Sequence, residues 1–119
     1  MSHRTLFFSG NPNHVVPLTD LTTNLFNLSG YCSIVTGAGQ GIGLALAKGL
    51  AYGGSDLVLV DLNAETLDHA AGEIRSIGRN ASTVTTDVTS DDAPARMVAA
   101  ARGLSGPIDV LINNAGIMG

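Results

Sequence analysis

A glycine-rich turn near the start of the sequence joins a short β-branched run to a helical run. Residues 34–36 are I-V-T, and they are followed by G-A-G-Q-G-I-G at residues 37–43 and by apolar residues at helical spacing up to Leu50. A strand, a tight turn and a helix in this order bring backbone N–H groups and the positive end of the helix dipole to one place. Glycine leaves room for an anion to approach them. The stretch therefore predicts a strand–turn–helix unit that can hold a phosphate.

The position of Asp61 supports a ligand at this turn, although the turn alone also fits a connection that binds nothing. Asp61 lies 18 residues beyond Gly43, at the end of the next apolar run. Dinucleotide-binding folds place an acid at about this distance to bind the adenosine ribose. The common G-x-G-x-x-G spacing does not fit from Gly37, because Ile42 stands at the last glycine position. No Gly-Lys-Ser/Thr of a P-loop follows either.

The rest of the chain predicts an α/β fold with three strand–helix units and a fourth strand. Continuous apolar runs such as residues 57–60 are typical of parallel strands buried on both faces. Right-handed crossovers then give the strand order 3-2-1-4. The predicted strands are residues 31–36, 56–60, 81–86 and 110–113, and the predicted helices are residues 41–52, residues 64–77 with Asn63 as N-cap, and a third helix after Ser90 as N-cap. Residues 1–29 are predicted to be an N-terminal extension and residues 30–119 the domain.

Composition narrows the function classes. Hydrophobic residues make up 45% and charged residues 13% of the chain, which predicts a folded domain rather than a disordered one. The net charge is −4 and the basic residues are scattered, so we expect no nucleic acid and no membrane as partner. The single cysteine, Cys32, and three histidines without ligand spacing argue against a disulfide and against a metal site. We expect a cytoplasmic protein.

Four motifs together resemble the short-chain dehydrogenase/reductase family. T-G-A-G-Q-G-I-G (residues 36–43), Asp61-Leu62, Asp87-Val88 and N-N-A-G (residues 113–116) follow one another at the ends of the four predicted strands. They match the family's T-G-x-x-x-G-x-G, the acid after the second strand, D-V after the third and N-N-A-G after the fourth. The resemblance covers about residues 25–119. It implies a Rossmann-type sheet that is incomplete here, so that residues 30–119 would be a truncated NAD(P)-binding domain, the first half of a doubly wound fold.

The resemblance also implies the cofactor-binding residues. The glycine-rich turn would line the pyrophosphate and adenosine side of the cofactor, and Asp61 would bind the adenosine ribose. A carboxylate there repels the 2′-phosphate of NADP, so NAD is the preferred cofactor. Asp87 and Val88 would contact adenine, the residues after Asn113 would lie along the ribose, and Asn113 would brace the sheet. The implied set is Gly37, Gln40, Gly41, Ile42, Gly43, Asp61, Leu62, Asp87, Val88, Asn114, Ala115 and Gly116.

No catalytic residue is carried over from the family. Its Ser, its Tyr-x-x-x-Lys pair and a further Asn all follow N-N-A-G, whereas the sequence ends at Gly119. Lys48-x-x-x-Tyr52 has the reverse order and lies on the first predicted helix. The resemblance thus implies the cofactor-binding portion of an NAD(P)-dependent oxidoreductase that interconverts an alcohol and a ketone by hydride transfer, with this chain inactive alone. A non-catalytic dinucleotide-binding module and an unstable gene fragment are the alternatives.

Two further expectations concern the ends of the chain. The lead L-F-x-L-x-G at residues 25–30 is similar to that of polyol and sugar-acid dehydrogenases within the family. The fourth strand is predicted to be an exposed apolar edge, through which the chain could self-associate.

Overall fold

The structure, a computed structural model, describes the backbone of residues 6–8 and the whole of residues 27–104 and 108–114. Strands and helices alternate through most of this part, as predicted. The strands are β1 (Leu6–Phe8), β2 (Cys32–Thr36), β3 (Asp56–Asp61), β4 (Ala81–Thr85) and β5 (Val110–Asn113), and the helices are α1 (Gly41–Tyr52), α2 (Ala64–Ser76) and α3 (Ala93–Arg102).

The strands form one sheet of order β1-β5-β2-β3-β4, and every neighbouring pair is parallel. The predicted order 3-2-1-4 is confirmed, because the predicted strands correspond to β2, β3, β4 and β5. In register, Val35 lies between Leu59 of β3 and Ile112 of β5. The carboxyl ends of these strands consequently reach the same edge of the sheet.

Apolar side chains cover both faces of the sheet. Helices α1 and α2 pack on one face, where Leu57, Leu59 and the fully buried Leu67 belong to one core cluster. Helix α3 packs on the other face, where Ile34 and Val58 belong to a second cluster. Because alternate residues of a central strand point into two separate cores, its sequence is a continuous apolar run. This explains the pattern at residues 57–60.

The N-terminal extension contributes a strand, which corrects the prediction of an exposed fourth strand. Residues Leu6, Phe7 and Phe8 pair in parallel with Val110, Leu111 and Ile112 of β5. A three-residue apolar run is too short to give a periodic signal, and its pairing partner β5 is more than 100 residues away in sequence. Self-association of the chain stays a prediction, as does the domain boundary at residue 30.

The extension also reaches the core just before β2. Leu28 is 1% exposed and packs among the residues of α1 and α2. Its N–H donates to the carbonyl of Gly53, which caps α1, at 2.7 Å. Leu28, the last apolar residue of the L-F-x-L lead, is therefore a core residue, while Leu25 and Phe26 lie outside the described part.

Of the two predicted helix N-caps, Asn63 is confirmed and Ser90 is not. The Asn63 carboxamide caps α2 by accepting from the N–H groups of Glu65 and Thr66 at 2.9 and 3.2 Å. The prediction of Ser90 as N-cap of α3 is wrong, since Asp92 holds that position without a side-chain cap bond. Ser90 instead closes a turn by donating its N–H to the Asp87 carbonyl, and the helix begins beside Pro94, whose fixed φ suits a first turn.

Within the described residues, none of the helices combines the length and the apolar character that crossing a bilayer requires.

Deletion of Leu6–Phe8 should promote self-association, because it leaves β5 as an unpaired apolar edge. We expect a concentration-dependent dimer or larger species in sedimentation velocity. The matched control is the triple variant Leu6→Val, Phe7→Thr, Phe8→Val, which keeps β-forming residues and should behave as the parent chain. Equal association states for the deletion and the control would contradict the assigned pairing.

Candidate cofactor-binding site

A cleft of about 490 Å³ lies at the edge where β2, β3, β4 and β5 end. In open parallel sheets this is where ligands bind, because the connections to the helices diverge there. The cleft is lined by residues from all four strand ends: Gly37, Gln40, Ile42, Asp61, Leu62, Thr86, Asp87, Val88, Thr89 and Asn114.

The amino end of α1 contributes unpaired backbone donors to this cleft. Its N-cap, Gln40, makes no side-chain cap bond, and its first turn contains no acidic residue. The preceding turn has positive φ at Gly37 (65°) and Gly41 (62°), a conformation that residues with side chains rarely adopt. The first-turn amides and the helix dipole are thus available to an anion.

Helix α1 lies directly against the turn because Gly43 has no side chain. A Cβ atom at Gly43 would overlap the carbonyl oxygen of Gly37 and lie 2.8 Å from Nδ2 of Asn114. The backbone conformation of Gly43 does not require glycine, since its φ is not positive. Close packing is the reason for glycine at this position.

Asp61 ends β3 with both carboxylate oxygens bonded to backbone amides. Oδ2 accepts from the N–H of Gly39 at 2.9 Å, and Oδ1 accepts from the N–H of Leu62 at 2.8 Å. The carboxylate is half-buried, so it keeps lone pairs for a further donor. Ribose hydroxyls are donors of the required type.

Asp87, on the β4 side of the cleft, is held by a tight turn. Its Oδ1 accepts from the Thr89 hydroxyl at 2.7 Å and from the Thr89 N–H at 2.9 Å. These two bonds, the hydroxyl bond first, lower the pKa of the Asp87 carboxyl below its ordinary value. Asp87 is therefore a fixed, ionised acceptor at neutral pH.

Thr36 ties the ends of β2 and β5 together. Its buried hydroxyl oxygen accepts from the N–H of Asn114 at 2.9 Å. The hydroxyl proton has two acceptors in reach, Oδ1 of Asn113 at 3.0 Å and the Ile112 carbonyl at 3.4 Å. Asn113 thus braces the sheet, and Asn114 is placed in the cleft wall.

Exposed apolar side chains supply the remaining surface. Ile42 and Leu62 are 62% and 69% exposed, although large aliphatic side chains prefer burial. Both line the cleft, together with Val88. Apolar walls with a few directed polar groups suit a planar ring with hydroxylated substituents.

The charge at the lining is negative. Asp61 and Asp87 are the charged residues among those that line the cleft in the described part of the chain, and no Lys or Arg stands with them. No group of three or more His, Cys, Asp or Glu residues suited to a metal ion occurs within residues 27–104 and 108–114.

Comparison with known families shows which family the sequence matches. The family model for short chain dehydrogenase matches residues 32–119, from the first residue of β2 onward. The chain belongs to the short-chain dehydrogenase family. Among the elements that the structure describes, the match includes all but β1.

Individual relatives are dehydrogenases and reductases of alcohols and sugars. Gluconate 5-dehydrogenase of Gluconobacter oxydans is 54% identical over 94 residues, which are 79% of this chain and 37% of the relative. The structure of L-sorbose reductase from Gluconobacter frateurii with NADPH and L-sorbose has a TM-score of 0.73 and 34% identity, covering 79% of this chain and 36% of that one. NAD⁺-bound xylitol dehydrogenase has a TM-score of 0.71 and 41% identity, covering 77% and 35%. The chain thus spans little more than a third of the length of these relatives.

The fold brings together most of the residues predicted from the family motifs. Those that line the cleft are Gly37, Gln40, Ile42, Asp61, Leu62, Asp87, Val88 and Asn114. Gly41 and Gly43 shape the turn and the helix contact behind it. Ala115 and Gly116 lie outside the described residues.

Sequence reasoning missed Thr86 and Thr89, which also line the cleft. Both are adjacent to the Asp87-Val88 pair, and a threonine two residues after an aspartate is a signal for the turn that holds Asp87. Gly39 was also not predicted to have a role. Its contact with Asp61 depends on how the first turn meets the end of β3, which no local pattern shows.

Gly43→Ala should destabilise the fold, because the new methyl group meets a backbone carbonyl rather than a flexible side chain. Overpacking of this kind costs about 3 kcal/mol. The matched control is Gly49→Ala on the same helix, where an added Cβ meets no atom within 4 Å. Urea unfolding should show a lower midpoint for Gly43→Ala and an unchanged or higher midpoint for Gly49→Ala. Equal midpoints would contradict the close helix–turn contact.

Thr89→Val should raise the pKa of Asp87 toward its ordinary value, because the hydroxyl donor is lost. Part of the depression should persist through the Thr89 N–H. A pKa lowered in the folded state contributes stability at neutral pH that is lost as the pH falls through it. The variant should therefore lose less stability on acidification.

A ¹³C NMR titration of the Asp87 carboxyl carbon measures this pKa directly. Thr83→Val, at an exposed site on β4, is the control and should leave it unchanged. An Asp87 pKa that is the same in Thr89→Val and the parent chain would refute the assigned cause.

Proposed function

We propose that this chain is the NAD-binding portion of an oxidoreductase that interconverts an alcohol and a ketone by hydride transfer. The single observation that carries NAD rather than NADP is the geometry of Asp61, whose carboxylate is fixed by two backbone amides at the cleft. Family membership supports the reaction class. The bound nicotinamide would supply the hydride acceptor or donor.

The anion-binding end of the site is the turn before α1. The uncapped N-terminus, together with the positive-φ conformations of Gly37 and Gly41, suits a pyrophosphate. Gln40 and Ile42 would flank it, and Gly43 holds the helix in place behind it. These residues bind and orient the cofactor without side-chain charge.

The adenosine end of the site is the opposite wall. Asp61 would accept hydrogen bonds from the ribose hydroxyls, with Leu62 beside it as an apolar contact. Asp87 and Val88 would meet the adenine ring. We assign Asn114, with Ala115 and Gly116 after it in sequence, to the adenosine ribose as well.

Charge at this wall favours NAD over NADP. The 2′-phosphate of NADP would meet the Asp61 carboxylate, and the lining residues offer no cation to compensate. The relatives alone leave the question open, since the sorbose reductase structure holds NADPH and the xylitol dehydrogenase structure holds NAD⁺.

We further propose a polyol or sugar acid as the substrate of the whole protein. Support comes from the 54% identity with gluconate 5-dehydrogenase and from the similarity to the sorbose and xylitol enzymes. The 119 residues contain no Tyr-x-x-x-Lys after N-N-A-G, so we assign no catalytic residue. We expect this chain alone to bind the cofactor without turnover.

A fluorescence titration with NADH and NADPH tests the proposal. NADH should bind saturably and more tightly than NADPH. Asp61→Ala should weaken NADH binding about tenfold, since hydrogen bonds to charged groups contribute about 1.5–3 kcal/mol, and should weaken NADPH binding less. Asp68→Ala is the matched control, because it removes the same charge from an exposed site on α2 away from the cleft.

Absence of saturable NADH binding by the folded chain would refute the proposed function. Equal NADH affinities for Asp61→Ala and Asp68→Ala would refute the role of Asp61. Turnover of NAD with an alcohol by the purified chain would refute the expectation that it is inactive alone.

A further inference from the structure

Gly39, in the glycine-rich turn, is hydrogen-bonded to Asp61. Its N–H donates to Oδ2 of Asp61 at 2.9 Å. Gly39 is not among the residues that line the cleft. Its hydrogen bond to Asp61, which does line the cleft, links it to the site.

Space, rather than backbone conformation, requires glycine at this position. Its φ is not positive, unlike that of Gly37 and Gly41 in the same turn. A Cβ atom built on Gly39 would lie 2.5 Å from Oγ1 of Thr66 and 2.8 Å from Oδ2 of Asp61. Real Cβ atoms do not approach other heavy atoms so closely, so one of these two side chains must move when a methyl group is added.

Thr66 is poorly placed to move. Its hydroxyl donates to the Asn63 carbonyl at 3.1 Å, and its N–H donates to the Asn63 side chain at 3.2 Å. It belongs to the first turn of α2, and the next residue, Leu67, is fully buried. Asp61 can respond by rotating its carboxylate, which breaks the bond from Gly39.

A rotated Asp61 side chain keeps its negative charge, but its two oxygens no longer point where the two amides hold them. The two amides of Gly39 and Leu62 each hold one oxygen, and together they fix the carboxylate plane. With one amide lost, the carboxylate has a wider range of orientations, and hydrogen bonds to a ribose diol weaken because they depend on geometry. Repulsion of a 2′-phosphate weakens as well, because the charge can turn away.

We propose that Gly39 is a positioning residue for cofactor selection: its missing side chain holds Asp61 in the orientation that favours NAD over NADP. The inference rests on the proposed function. It states that selectivity requires the correct orientation of the Asp61 carboxylate and not only its presence. Selectivity then depends on a residue that is not part of the cleft lining.

The test measures the dissociation constants of NADH and NADPH for Gly39→Ala by fluorescence titration of the full chain. We expect the ratio of the NADPH constant to the NADH constant to fall about tenfold, the loss of one hydrogen bond to a charged group. Gly49→Ala makes the same chemical change where an added Cβ meets no atom within 4 Å, and should keep the parent ratio.

Coupling to Asp61 distinguishes positioning from a general structural effect. In an Asp61→Ala background, Gly39→Ala should leave the ratio nearly unchanged, because the group that it positions is gone. If the two substitutions acted independently, their fold-changes in the ratio would multiply, and that outcome would overturn the inference.

A second variant covers the case in which Gly39→Ala does not fold. Gly39→Ala combined with Thr66→Ala removes the 2.5 Å contact and leaves the contact with Asp61. This double variant should fold and should still show the lowered ratio, while Thr66→Ala alone should keep the parent ratio. A parent-like ratio in the double variant would overturn the inference.

Failure of the inference and failure of the proposed function give different results. If the folded parent chain does not bind NADH, the proposed function is refuted and the inference falls with it. If the parent binds NADH with the expected preference and the Gly39 variants keep its ratio, only the role of Gly39 is refuted.

Discussion

The contact between α1 and the turn before it is the constraint on which the site depends. Gly43 lets the helix lie against the carbonyl of Gly37, and this contact sets where the first-turn amides point. Because Asn114 is the other neighbour of Gly43, the same contact also fixes the helix relative to the end of β5. The turn, the amino end of α1 and the end of β5 thus keep their relative positions because Gly43 has no side chain. A close-packed interior leaves no room to add one.

Charge divides the cleft into two ends with different tasks. The uncapped amino end of α1 attracts negative charge, whereas Asp61 and Asp87 repel it and accept hydrogen bonds from neutral donors. A ligand with phosphates at one end and hydroxyl groups at the other fits this division. The carboxylates are held by backbone amides and by the Thr89 hydroxyl rather than by cations, so each keeps its acceptor character without a neutralising partner in the lining.

Strand β1 lies outside the family match. The match begins at Cys32, whereas β1 comes from residues 6–8 and extends the sheet beyond β5. Parallel pairing there gives the apolar strand β5 a neighbour on both sides, β2 and β1. Both ladders stabilise the strand whose end places Asn114 in the cleft wall.

The sequence by itself determined the alternation of strands and helices and the order of the central four strands, and the family motifs predicted most of the residues that line the cleft. These follow from local patterns, such as the apolar run at residues 57–60 and the motifs at Asp61 and residues 113–116, because parallel strands bring their carboxyl ends to one edge. Tertiary structure alone decided the rest. The pairing of Leu6–Phe8 with β5, the start of α3 beside Pro94 and the bond from Gly39 to Asp61 arise from contacts between segments far apart in sequence or from competition between neighbouring turns. Such contacts have no periodic or compositional signal, since the energy that selects them comes from the partner and not from the segment.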